Sequence, residues 1–321
     1  MAWYFVIFIF ILSCVLLSWI SSRLINSLVH IGKYLQWKEF VITFFVMAFA
    51  VSLPNFFVDF NAVFQGLPEI ALGDIIGGNL VDLTIAMAIA VFFTKRGLSA
   101  ESQMVQHSAI FTSAIAILPL FLIADGKLER IDGIILIFAF LFYAWWVFGK
   151  KSRFRKVYNG KKENLIKDFK GFLLSLAKII FFLVLLLISS FAVVNSAKYF
   201  ADSLGISLTL VGIIIVALGN AFPETYFAII SARQKENWMV LGDLMGSVII
   251  CATLVLGLIA IVSPFEIKNL TSFLTARVFL IIAALFTLLF IKTDKKITKK
   301  EGFFLLSIYI AFLITEVFIS K

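Results

Sequence analysis

Cysteine, histidine and charge are all scarce in this chain, and each scarcity removes a class of protein. Its 321 residues include two Cys, two His and only 15% charged residues. Cys14 and Cys251 both fall within apolar stretches, so no disulfide framework is implied. His30 and His107 stand alone near the edges of such stretches, and two scattered imidazoles make a poor transition-metal site. No P-loop, Gly-x-Ser-x-Gly, His-Glu-x-x-His or Gly-x-Gly-x-x-Gly motif occurs. ATP-driven pumping by this chain alone and intramembrane hydrolysis therefore lack their signatures. The expectation is a protein that is not an enzyme and holds no cofactor.

What is abundant is apolar length. Hydrophobic residues make up 62% of the chain, Phe alone occurs 37 times, and the mean hydropathy is +1.05. Windows of about 20 apolar residues, enough to cross a hydrocarbon core, fall near 3–22, 39–64, 69–93, 107–124, 131–148, 171–199, 207–231, 239–262, 272–291 and 303–320. The first lacks a basic leader and a small-residue cleavage site, so it reads as a retained helix rather than a signal peptide. The fold class expected is an all-α polytopic membrane protein of ten transmembrane helices. A hydrophilic, basic stretch divides it into a first half (1–148), a linker (149–171) and a second half (172–321), and a cytoplasmic linker obeying the charge bias is preferred there over a lipid-binding segment.

The net charge of +9 raises the question of nucleic acid, but no nucleic-acid motif accompanies it and the basic residues lie between the windows. Their distribution bears on orientation instead. With the N-terminus outside, 21 of the 28 Lys and Arg fall on the inner side, nine of them between Lys150 and Lys170. Lys127, Arg130, Lys198, Lys268, Arg277 and Lys321 fall outside, and Lys178 is left inside a helix. Both termini are therefore expected outside, in a cell membrane.

Two segments repeat the same punctuation. The first reads Ser52-Leu53-Pro54-Asn55, then Gly73-Asp74-Ile75-Ile76-Gly77-Gly78; the second reads Ala221-Phe222-Pro223-Glu224, then Gly242-Asp243-Leu244-Met245-Gly246-Ser247. In both, Pro precedes the first Gly by 19 residues, which points to internal duplication. Five spans separate the copies, so the second is inverted relative to the first. Broken helices at matching positions of two halves point to an ion or substrate site at mid-membrane.

The polar residues in these segments are costly in lipid, about 2.5 kcal/mol or more for a carboxylate at the centre of a span, unless protein or water faces them. Glu224 follows Pro223, whose missing amide, with nearby Gly219, frees carbonyls beside a carboxylate. That is an oxygen site for a hard cation, the alternative being a neutral acid hydrogen-bonded between helices. Asn55 matches Glu224 in the first copy and offers oxygen without charge. Asp82, one turn beyond Gly78, is a second candidate ligand or proton acceptor, and its counterpart is Cys251. Gly78 is expected to permit close helix approach. Ser52, Asn220 and Ser247 are candidate secondary donors, though Ser and Asn also bind helices together in membranes. Asp59 reads equally as a ligand or a vestibule residue, and Asp74 and Asp243 as acids favouring helix starts.

These segments resemble the alpha-repeats of the cation/calcium exchanger superfamily, which carry a Gly-Thr-Ser-Leu-Pro-Glu stretch and, on the next helix, Gly-Asn-x-x-Gly-Ser-Asn. The resemblance covers essentially the whole chain. It implies four central helices (spans two, three, seven and eight) around the ion sites, with spans one and six sliding across them. It implies secondary antiport in which Ca2+ leaves in exchange for Na+ or H+, with K+ also travelling in some members. Glu224 takes the position of one family Glu, and Ser52 and Ser247 those of family hydroxyls. Asn55 replaces the other Glu, Val51 and Asn220 replace Thr, Ala221 and Gly78 replace Ser, and Asp82 replaces a polar or acidic residue. Two central carboxylates, Glu224 and Asp82, are thereby retained.

The expected metal-site set is Glu224, Asp82, Asn55, Ser52, Asn220, Ser247 and Asp59. The expected partners are inorganic cations and the lipid bilayer, with no nucleic acid and a monomer as the working unit. Two alternatives stand beside calcium antiport: an H+- or Na+-coupled exchanger of another cation, and a non-transporting membrane sensor or scaffold.

Overall fold

The computed structural model describes residues 3–34, 47–149, 169–267 and 270–319. The start of the second window and nearly all of the basic linker lie outside the described residues, as do Lys38 and Lys268.

Helix dominates. In the first half, α1 (Trp3–Tyr34) precedes the short α2 (Met47–Val51) and α3 (Leu53–Phe64). Next, α4 (Pro68–Val81) runs through a π-helical turn at Asp82–Ala86 into α5 (Met87–Phe92), followed by α6 (Gln103–Leu122) and α7 (Arg130–Gly149). The second half begins with α8 (Phe169–Leu204). There α9 (Leu208–Leu210), a π-helical turn at Val211–Val216, α10 (Ala217–Asn220) and α11 (Phe222–Arg233) form one broken span. Then α12 (Asn237–Ile249) passes through a π-helical turn at Ile250–Val255 into α13 (Leu256–Val262), and α14 (Leu270–Thr293) and α15 (Lys299–Ile319) complete the chain.

Eight helical stretches among the described residues are long and apolar enough to cross a membrane. The two remaining sequence windows correspond to α2–α3, whose start lies outside the described residues, and to α15, which carries Lys299, Lys300, Glu301 and Glu316. The chain is an all-α polytopic membrane protein.

The duplication is written into the element borders. At the 169-residue offset that relates Asn55 to Glu224, α3 maps onto α11 at both ends, α4 onto α12, α6 onto α14 and α7 onto α15. The offset also relates α1 to α8, and these two counterparts run antiparallel. Trp3 meets Phe200 near one end (ring centroids 5.7 Å apart) and Trp19 meets Phe182 toward the other (6.2 Å). Antiparallel counterparts mean the repeat is inverted.

Two minimal strand pairs follow the same relation in part. Strand β1 (Leu98–Ser99) pairs antiparallel with β4 (Lys296–Ile297), and β2 (Lys127–Leu128) with β3 (Phe265–Glu266). Moving β2 by the offset lands on β4, whereas moving β1 lands two residues beyond β3. The β2–β3 pair also carries an exposed salt bridge, Lys127 Nζ to Glu266 Oε1 at 2.8 Å. Its hydrogen bond draws the Glu266 carboxyl below and the Lys127 ammonium above their usual ranges.

The core is centred on a close crossing of α4 over the broken span α9–α11. A Cβ added at Gly73 would stand 2.7 Å from the Thr209 carbonyl oxygen, and one at Gly212 would stand 2.6 Å from that of Ile70. Gly77 sits against the Ile213 backbone. Small residues let helix backbones approach where lipid gives no hydrophobic drive to associate. Gly78 does not take part: a Cβ there meets nothing within 4 Å. It lies one helix position from Gly77 and so points away from the crossing.

A side chain at the crossing has nowhere to go, because both obstacles are backbone. Gly212→Ala is expected to lower stability by about 1–3 kcal/mol, the usual cost of overpacking, read as a lower thermal midpoint in detergent. Gly242→Ala, where a Cβ meets nothing within 4 Å, serves as the unaffected control. Equal midpoints for the two variants would show that the crossing is looser than described.

Candidate cation site

The site forms where two helices break. α2 ends at Val51 and α3 resumes at Leu53, with Pro54 in its first turn; α10 ends at Asn220 and α11 resumes at Phe222, with Pro223 in the matching place. Proline has no amide to donate, so the carbonyl four residues earlier loses its helical partner. In the first copy that carbonyl belongs to Ala50, and it accepts a hydrogen bond from Ser21 Oγ of α1 at 3.1 Å. In the second copy it belongs to Gly219, where α1 packs so tightly that an added Cβ would lie 2.7 Å from Cys14 Sγ.

The breaks bring the repeats into direct contact. Asn55 Nδ2 donates to Glu224 Oε1 at 3.2 Å and approaches Cys251 Sγ at 3.5 Å. Asn220 Nδ2 donates to Asp74 Oδ2 at 2.7 Å. Beside these contacts is a cavity of about 10 Å3, room for about one water-sized particle. It is lined by Asn55, Asp59, Asp74, Ile75, Gly78, Asn79, Asp82 and Cys251.

Of the seven residues expected from sequence, Asn55, Asp59 and Asp82 line the cavity, and Glu224 joins through its bond to Asn55. Asn220 reaches it through Asp74. Ser52 is buried at the first helix break, and Ser247 is buried on α12, which packs against the π-helical turn that begins at Asp82. Asp59 is fully buried, which favours the ligand reading over a vestibule.

Two residues belong to the site that the sequence reading placed elsewhere or passed over. Asp74 is mid-helix in α4, not at a helix start, and lines the cavity with Asn79. Asp243 is likewise buried in the middle of α12. The available signal was the recurrence of Gly-Asp in both copies, which helix-dipole reasoning explained too cheaply. Gly78, expected at a helix crossing, instead opens its side of the cavity.

Five acids, Asp59, Asp74, Asp82, Glu224 and Asp243, are thus buried together, and no Lys or Arg among the described residues is bridged to any of them. Oδ1 of Asp82, Oε2 of Glu224, Oδ2 of Asp243, Asn55 Oδ1 and Asn220 Oδ1 have no hydrogen-bond partner within the protein, while Asp59 lies within hydrogen-bonding reach of Asp74 and Ser247 within reach of Asp82. Buried polar atoms are normally paired, so unpaired oxygens around the cavity make these residues candidate cation ligands. Among the described residues no three acid, thiol or imidazole groups converge as a metal cluster. An ion there would draw on amide, hydroxyl and backbone oxygens as well as carboxylates. Hard cations accept such a mixed oxygen shell.

The model of the sodium/calcium exchanger protein family matches residues 5–149 and again 174–318, once on each half. The chain belongs to the sodium/calcium exchanger family. Among curated relatives, the sodium/calcium exchanger MaX1 of Methanosarcina acetivorans is 26% identical, the alignment covering 93% of this chain and 95% of that protein. An uncharacterized membrane protein of Methanocaldococcus jannaschii, MJ0091, is 27% identical over 94% of each. Among solved structures, the sodium-calcium exchanger NCX_Mj superposes with a TM-score of 0.66 at 24% identity, covering 96% of this chain and 97% of its own. At that identity the likeness establishes the fold.

The Asn220–Asp74 bond can be tested by itself. Asn220→Ala removes a donor from a buried acid, and the expected cost is about 1–3 kcal/mol, the desolvation penalty of an orphaned group. It would appear as a lower thermal midpoint that Asp74→Asn in the same chain partly restores. Additive losses in the double variant would mean that the two residues act independently.

Proposed function

We propose that this family member is a secondary antiporter that exchanges Ca2+ for Na+ or H+ by alternating access. Glu224 and Asp82 supply the two negative charges that balance a divalent ion. Asn55, Asp59, Ser52, Asn220 and Ser247, with carbonyls released at the helix breaks, complete its shell. The observation that carries this reading is the contact of Asn55 with Glu224 across the repeat, set among buried oxygens that lack protein partners. Relatives named as sodium/calcium exchangers support the choice of ions. On this reading the protein works as a monomer in a cell membrane, exporting Ca2+. The bias of Lys and Arg supports both termini lying outside.

Uptake of radiolabelled Ca2+ into proteoliposomes, driven first by an outward Na+ gradient and then by an outward H+ gradient, tests the proposal. Gradient-driven uptake is expected, and Glu224→Gln and Asp82→Asn should each reduce it by more than about tenfold while eluting as monodisperse protein. Full activity in Glu224→Gln would sink the ligand assignment. Absence of uptake under both gradients by folded wild-type protein would move the chain to another cation or out of transport.

A further inference from the structure

A second concavity, a groove open on one side, lies between the antiparallel counterparts α1 and α8. It measures about 600 Å3, and its wall includes Trp19, Arg23 and Asn26 from α1 and Ser175, Lys178 and Phe182 from α8. Its polar groups include a guanidinium, an ammonium, an amide and two hydroxyls, Ser27 and Ser175; among the described residues no Asp or Glu lines it. The Arg23 guanidinium lies 5.5 Å from the centroid of the Trp19 ring, which packs edge-on against Phe182 at 6.2 Å. That stack ties the orientation of one cation to the α1–α8 contact itself. Lys178 stands seven residues inside the apolar span Gly171–Leu204, about 10 Å along the axis at ~1.5 Å per residue. A lysine at that depth is costly unless it finds a charge or reaches the interface.

We propose that this cavity binds the headgroup of an anionic glycerophospholipid, with its phosphate between Arg23 and Lys178 and its glycerol against Asn26 and Ser175. Two cations without an acid between them complement a phosphate, and the guanidinium and ammonium are the side chains suited to it. The acyl chains have a surface to follow, since Phe181 and Leu174 of α8 are 58% exposed and Trp19 of α1 is 48% exposed. The leaflet is the one on the side where α1 ends and α8 begins, the side to which the charge bias assigns the basic linker. Anionic headgroups are known targets of basic pockets between membrane helices. A phosphate held from both helices links two repeat counterparts that already pack through this aromatic seam. It also gives Lys178, which has no place in the cation site, a function.

The test is native mass spectrometry of the full chain released from bilayers of equal parts phosphatidylglycerol and phosphatidylcholine. The wild type is expected to retain phosphatidylglycerol selectively. Arg23→Gln with Lys178→Gln should lower retention by about tenfold, while Arg23→Lys with Lys178→Arg should keep it. Each single Gln variant is expected to lose part of it and carries the test if the double variant does not fold. Lys299→Gln with Lys300→Gln removes equal charge from the head of α15 and should change nothing. Undiminished retention in the Gln variants, or an equal loss in the α15 control, overturns the proposal. Displacement of the lipid by free glycerol phosphate would assign the cavity to a soluble anion. A dimer that disappears with Arg23→Gln and Lys178→Gln would assign it to a second copy of the chain.

Discussion

Carboxylates buried at membrane depth constrain everything else in this protein. Hydrocarbon offers them no hydrogen bond, so the chain has to surround Asp59, Asp74, Asp82, Glu224 and Asp243 with its own atoms while leaving space beside them. The close crossing at Gly73 and Gly212 meets the first need, bringing α4 against the broken span until backbone touches backbone. The second need is met by what the crossing omits. Gly78, one helix position from Gly77 and rotated away from the contact, contributes no side chain, and the cavity opens there.

The breaks are needed for the same reason. A continuous helix consumes every carbonyl it contains, and a polar site in lipid needs some to spare. Pro54 and Pro223 release one each, and the release is put to use, since the Ala50 carbonyl takes a hydroxyl from α1. α1 contacts each break, through Ser21 in one copy and Cys14 against Gly219 in the other. The lipid-facing pair α1–α8 is thus joined to the ion-facing core through specific atoms rather than general packing.

Much of this was legible in sequence because a duplication prints its evidence twice. The offset that aligned Pro54 with Pro223 also predicts the borders of α11 from α3, and it places β4 from β2. Asn55 and Glu224, paired on paper by that offset, are hydrogen-bonded in space. What stayed hidden was orientation around the helix axis. Asp74 and Gly78 are four residues apart, and both face the cavity, while Gly73 and Gly77, each one residue earlier, face the crossing. A heptad-scale reading finds the helix but does not tell which of two adjacent stripes meets protein and which meets ion.

The π-helical turns set an asymmetric pocket on a symmetric frame. Asp82–Ala86 and Ile250–Val255 are counterparts under the repeat, and each contains a fully buried threonine, Thr84 or Thr253, whose hydroxyl donates back to the carbonyl four residues earlier, that of Leu80 or Ile249. Threonines in ordinary helix bond back in the same way, as Thr112 does to Ser108, so the two turns share this backbone feature while the side chain at their mouths differs. One copy places Asp82 there and the other Cys251, just as one break carries Asn55 and the other Glu224. In each pair one copy keeps the acid and the other has a neutral group, and the acid lies in the first repeat for one pair and in the second for the other. The two acids thus come from opposite halves, one from each repeat.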